Sequence, residues 1–353
     1  MNKRIERALK ALEQTKCQGV IITNLKNIFY LTGFSGSSAM IYLSQNRQLF
    51  FTDARYTLMA KDVVKDFDIV ETREYLKSLS NIITLDNIDT IGFDSEVSYH
   101  FYQEIRDAFP TKSLEAQINF IENLRMIKDE SEVAIIRKAC QISDQAFLDV
   151  LDFIKPNQTT ELDVMNFLDM RMRQLGASGP SFDFIVASGF RSAMPHGVAS
   201  DKVIKSGESL TMDFGCYYNH YVSDITRTIH IGEVSDEERL IYDIVLKSNQ
   251  ALINQVKAGM TRSSYDKIAR DVIEEAGYGQ FFTHGIGHGI GLDIHEIPYF
   301  GQSDERILSG MTLTDEPGIY LDHKYGVRIE DDLLVTDTGC EVLTLAPKEL
   351  IVI

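Results

Sequence analysis

In residues 1–122 the apolar positions switch repeatedly between helical and strand spacing. The pattern predicts a helix over about residues 3–16, a strand at Gly19–Ile22, and short strands at 40–43 and 49–52. A helix at 55–64, a strand at Asp68–Glu71, a further helix, a strand at Thr90–Asp94 and a helix at 99–109 complete the series. The middle strands lie too close together for helical crossovers, so this region is expected to be an α/β domain with a mixed sheet. Residues 119–128 read as the join to a second, longer region. Beyond the join Val133, Ile136, Cys140, Phe147 and Leu151 share one face of a long helix, which Pro156 stops.

The remainder, 123–353, repeats itself. KPNQTTELDVMNFLDMRMRQLGA (155–177) and KAGMTRSSYDKIARDVIEEAGYG (257–279) both run from a lysine, through a Thr-containing turn, into an amphipathic helix ending near glycine. Downstream, LTMDFGCY (210–217) is echoed by LTDEPGIY (313–320), with Asp213 opposite Glu316. Each echo is followed by a second acid beside a basic residue: Asp224 in SDITRT and Glu330 in VRIEDD. Two echoes in the same order predict two pseudo-symmetric α/β halves that face each other. Each half carries its two acids on a hairpin, with the acids side by side. A solvated strand edge explains any one of these acids alone. As a repeated set the four carboxylates converge on one point, where like charges raise one another's pKa. A cation resolves that conflict, and four acids suit two divalent ions better than one.

Composition narrows the function. At 353 residues the chain exceeds what one core usually holds, and two domains are expected, 1–122 and 123–353. Lys plus Arg number 35 against 52 Asp plus Glu, a net charge of -17. The first 122 residues hold 14 cations and 16 anions; the rest hold 21 and 36. The excess acid therefore lies in the repeated part. Such a balance argues against a nucleic-acid partner, because phosphate binding needs clustered cations. No run of apolar residues is long enough to span a membrane, and the N-terminal stretch reads as an amphipathic helix and not a secretory signal. The four cysteines (Cys17, Cys140, Cys216, Cys340) are scattered without a CxxC pair, which fits a reducing cytoplasm.

Histidines cluster in THGIGHGIGLDIHE (283–296). His284 and His288 have the spacing of a helical zinc motif, yet four interleaved glycines oppose a helix. The segment is expected to be a strand with His284, Ile286, His288 and Ile290 on one face and glycines on the other. One histidine can add a nitrogen ligand to the carboxylates, and the others suit proton transfer or oxyanion stabilisation. His100, His220, His230 and His323 read as structural, and His196, in a P-H-G turn, stands between the two classes.

MDFG, SDITRT, HGIGHGIGLDIHE, EPGIY and GVRIEDD together resemble the pita-bread metallopeptidases: aminopeptidase P, prolidase and methionine aminopeptidase. The resemblance covers nearly all of 123–353. It implies that Asp213, Asp224, His288, Glu316 and Glu330 ligate two divalent metal ions. It further implies that His196, His284 and His295 lie on the substrate side, with Arg328 supporting the site. NIFYLTGFSGS (27–37) and FTDARY (51–56) resemble the creatinase-type N-terminal domain of the proline-specific branch, which methionine aminopeptidases lack. The expected fold is therefore α/β: a pita-bread catalytic domain plus a smaller mixed-sheet N-terminal domain. An oxygen-rich donor set with one nitrogen suits Mn²⁺, with Co²⁺, Fe²⁺ or Zn²⁺ as alternatives. The chemistry expected is hydrolysis of a peptide with proline at its second position. Glu316 would accept the proton, and His284 or His295 would stabilise the tetrahedral intermediate. The resemblance also implies a homodimer. It leaves an Xaa-Pro aminopeptidase, a strict Xaa-Pro dipeptidase and a non-catalytic protein-binding module as readings; the intact ligand set opposes the last. One departure is Asp315, where the family usually has an apolar residue, and it is expected to bear on the second metal or on the strand.

Overall fold

The computed structural model describes residues 2–84 and 86–353, in two compact units divided after Arg125. In the first unit a six-stranded sheet runs in the order Asp68–Glu71, Gln48–Thr52, Ala39–Ser44, Gly19–Ile22, Thr90–Asp94, Ser113–Gln117. It is mixed: Gly19–Ile22 pairs antiparallel with Ala39–Ser44 and parallel with Thr90–Asp94. Three elements escaped the apolar pattern, one of them the four-residue helix Glu122–Arg125 within the expected join. Helix Leu25–Thr32 starts at the Asn24 side chain and ends at Gly33, whose φ of 75° is open to glycine without strain. Strand Ser113–Gln117 lies at the sheet edge.

The second unit begins with helix Glu130–Phe153, where Asp129 and Glu132 form a reciprocal cap. Val133, Ile136, Cys140 and Phe147 are buried along it, as their spacing requires. Helices Glu161–Gln174 and Arg262–Glu275 have the same length and start at Thr160 and Thr261. Each packs with a longer helix (Glu130–Phe153 or Asp236–Ile253) over its own hydrophobic core. The first half carries strand Glu208–Phe214 between Ile185–Ser188 and Ile225–Ile231. The second carries Thr312–Asp315 between His288–Gly289 and Asp331–Val335. These are the two pseudo-symmetric halves expected of a pita-bread domain. Thr228 Oγ1 joins them, donating to the Arg328 carbonyl at 2.9 Å, and the Glu330 N–H donates to the Thr226 carbonyl at 3.0 Å. No helix among the described residues is long and apolar enough to cross a membrane.

The acids do not sit on simple hairpins. Asp213 is paired with Thr226, and Asp224 falls just before its strand. In the second half Asp315 and Asp331 form the last pair, with Glu316 and Glu330 one residue outside it. The chain thus leaves the sheet at each acid, and an inner hairpin (Gly318–Leu321 with Tyr325–Arg328) closes the second half beyond it.

Candidate metal centre

The glycine–histidine segment differs from the expected strand. Only His288 and Gly289 are in strand pairing, with a register shift between them. At Gly287 a Cβ would stand 2.3 Å from the Thr314 carbonyl oxygen, and its φ is 155°. This contact crosses the backbone tightly over the neighbouring strand, so the side chains do not alternate along one face. Ile286 and Ile290 are buried in the protein, while His284 and His288 line a cavity of about 450 Å³.

The same cavity is lined by Asp213, Asp224, Glu316 and Glu330, by His196 and His295, and by Arg328. All nine residues singled out in the sequence therefore meet at one place. His288 Nε2 lies 3.7 Å from Asp224 Oδ2 and 3.6 Å from Glu316 Oε1. Single ligand atoms of Asp224, His288 and Glu330 lie within 4.8 Å of one another. Thr226 donates to Glu330 Oε2 at 2.6 Å from across the two halves, and Thr314, two residues before Glu316, donates to its Oε1 at 3.3 Å, so both glutamates are held by hydroxyls. The Asp224 N–H is fixed by Asp332 Oδ2 at 2.8 Å.

Arg328 is the cation of this cluster. Its Nη2 donates to Asp213 Oδ2 at 2.5 Å, its Nη1 to Tyr320 Oη at 2.7 Å, and its Nε to Thr226 Oγ1 at 3.0 Å. One arginine cannot balance four acids. Burial raises Glu316 to about 7, with Asp213 adding to the rise and Arg328 opposing it. Burial, then the neighbouring carboxylates, lifts Asp224 and Glu330 well above the usual range. Burial also lowers His284 and His288 to about 4, so both rings are neutral near pH 7 and able to offer a lone pair. Asp213 Oδ1 and Asp224 Oδ1 are buried without a hydrogen-bond partner. Orphaned carboxylate oxygens beside a neutral imidazole are the donor set that a divalent cation satisfies.

The histidines then separate by their partners. His284 is tied at both nitrogens, to the Gly285 carbonyl at 2.8 Å and to Tyr320 Oη at 2.8 Å. His295 stacks edgewise on His288, ring centroids 4.3 Å apart, and its ring nitrogens make no hydrogen bond among the described residues. His196 is exposed at the mouth. His230 is buried against Glu238 at 3.0 Å, away from the cavity. Tyr320 links Arg328 to His284, a role that no motif in the sequence assigns; its recurrence opposite Tyr217 in the echo was the available signal. Asp315 is fully buried, accepts from Asn249 Nδ2 at 3.2 Å, and is pushed well above the usual carboxylate range by burial. It does not line the cavity.

Residues 134–337 match the model of metallopeptidase family M24, and residues 4–127 match the creatinase/prolidase N-terminal domain. The chain belongs to metallopeptidase family M24. An Xaa-Pro dipeptidase of Pyrococcus furiosus is 38% identical to this M24 peptidase over 99% of this chain and 100% of its own. The solved structure of an Xaa-Pro dipeptidase from Bacillus anthracis is 42% identical, with a TM-score of 0.97 and 99% of each chain covered. That of an X-Pro aminopeptidase from Thermotoga maritima is 38% identical, with a TM-score of 0.90 over 98% of this chain and 100% of that one. The protein is a metallo-exopeptidase of the pita-bread fold with a creatinase-type N-terminal domain, and its family depends on metal.

Proposed function

We propose that this M24 peptidase hydrolyses the bond between an N-terminal residue and a following proline, as an Xaa-Pro aminopeptidase. In this reading Asp213, Asp224, His288, Glu316 and Glu330 hold two divalent ions, foremost Mn²⁺. The observation that carries it is the meeting of these five donors, two with orphaned oxygens, in one cavity. Bound there, the ions would supply a water of lowered pKa and positive charge for the developing oxyanion. The protein's own groups do the rest. Glu316, raised to about 7, is suited to take a proton and return it near neutral pH. Of the two histidines considered for the oxyanion, His295 has the free ring nitrogens, whereas Gly285 and Tyr320 occupy those of His284. Arg328 holds Asp213 in place. Phe182, Ile185, Val198 and Ile294 make part of the cavity wall apolar. Proline has no N–H when in peptide linkage, so recognition by shape against such a wall suits it.

A strict Xaa-Pro dipeptidase is the second reading, favoured by the names of the Pyrococcus and Bacillus relatives. An Xaa-Pro dipeptide and an Xaa-Pro-Xaa tripeptide, offered to the enzyme in Mn²⁺ buffer, separate the two. Tripeptide cleavage is expected; cleavage of the dipeptide alone would assign the dipeptidase. A cytoplasmic homodimer completes the proposal.

A further inference from the structure

Among the described residues the His295 ring makes no hydrogen bond and touches the His288 ring edgewise, so its direction depends on the main chain that carries it. That main chain is the turn 291–295, closed by the Gly291 N–H donating to the Asp293 carbonyl at 3.1 Å. The turn runs into strand Glu296–Tyr299, where Glu296 pairs with Gly289. Beneath it lies an ion pair: Lys128 Nζ is 2.6 Å from Glu296 Oε1, and the two side chains are 1% and 4% exposed. The other carboxylate oxygen accepts from the Asp293 N–H at 3.4 Å. A Cβ at Gly291 would stand 2.5 Å from Glu296 Oε1, so the turn backbone rests on the carboxylate. Lys128 is itself anchored, its N–H donating to the Gly310 carbonyl at 2.9 Å.

Neither Lys128 nor Glu296 lines the cavity. A buried ion pair is a weak source of stability, since desolvation offsets the attraction; what it can supply is one geometry for the backbone around it. We propose that Lys128 and Glu296 are positioning residues that fix the 291–295 turn and so aim His295 at the substrate. This inference rests on the reading of the cavity as a peptidase centre.

The test compares the Mn²⁺-loaded parent with Lys128→Met and with the double variant Lys128→Met/Glu296→Gln. Lys128→Met is expected to lower kcat on an Xaa-Pro-Xaa tripeptide by about tenfold or more, with KM and metal content little changed. The double variant, which also removes the buried charge that Lys128 faced, should recover the parental Tm but not the parental kcat. Imidazole ¹H–¹⁵N spectra of the same proteins loaded with diamagnetic Zn²⁺, with the His295 signal assigned through His295→Gln, should show that signal displaced in both variants. A double variant with parental kcat, or a His295 signal unmoved in both, overturns the proposal. The spectrum needs no turnover. A parent that leaves Xaa-Pro peptides intact would therefore refute the peptidase reading, while the spectrum still decides the role of the ion pair.

Discussion

Glu316→Gln lowers kcat on an Xaa-Pro peptide by about a thousandfold, within the range typical of removing a positioned acid–base group. The substitution keeps the size of the side chain and an oxygen for the Thr314 hydroxyl, 3.3 Å from Glu316 Oε1 in the parent. It removes the one carboxyl group of the cavity that is poised at about 7. Gln cannot take up a proton there, and it cannot contribute negative charge to a shared cation. Steady-state kinetics on the variant check the expectation, with circular dichroism to confirm the fold. Turnover within tenfold of the parent would remove Glu316 from the proton path.

The metal-free protein should lose stability as pH rises above about 6.5, and divalent metal should abolish much of that loss. Asp224, Glu316 and Glu330 all have folded values raised above their ordinary ones, so the folded state keeps protons that the unfolded chain has already released. Stability then falls with pH by about 1.4 kcal/mol per unit for each proton retained, or about 3 kcal/mol per unit where two are held. His284 and His288 act in the opposite sense, because their folded values of about 4 lie below the ordinary 6.5. Their contribution is lost as pH falls through 6.5 toward 4. Between about pH 4.5 and 6.5 the histidines offset part of the acids' loss, so the metal-free curve should change little there and fall steeply only above about 6.5. A bound cation takes the place of the protons and adds about 2.7 kcal/mol at a hundredfold excess over its Kd. Thermal melts from pH 5 to 8.5, with and without Mn²⁺, give the two curves. Parallel curves above pH 7 would mean that the three acids do not share a cation.

The parts of this molecule that were legible in its sequence are those fixed by local pattern or by repetition. Strands Gly19–Ile22, Asp68–Glu71 and Thr90–Asp94 stand where apolar runs between turns placed them. The echo of LTMDFGCY in LTDEPGIY picked out Asp213 and Glu316, which the fold brings to one cavity. Helix Leu25–Thr32 escaped because it is buried on most sides, including Ile28, Tyr30 and Leu31, and so has no clear polar face. Ser113–Gln117 offers only Leu114 and Ala116 as apolar residues; its pairing with Thr90–Asp94 makes it a strand. The 284–290 segment takes its course from the close approach to Thr314, a contact no local period records. For the same reason the pairing of Lys128 with Glu296, 168 residues apart, was invisible before folding.

Two bound ions, required for turnover, are the core of the proposed account. The direct measurement strips the enzyme with a chelator, titrates Mn²⁺ back, and follows both metal uptake and cleavage of an Xaa-Pro-Xaa tripeptide. The account predicts no turnover in the stripped protein and activity that rises to a plateau as two ions are taken up. Full turnover in protein shown to be free of metal would contradict it.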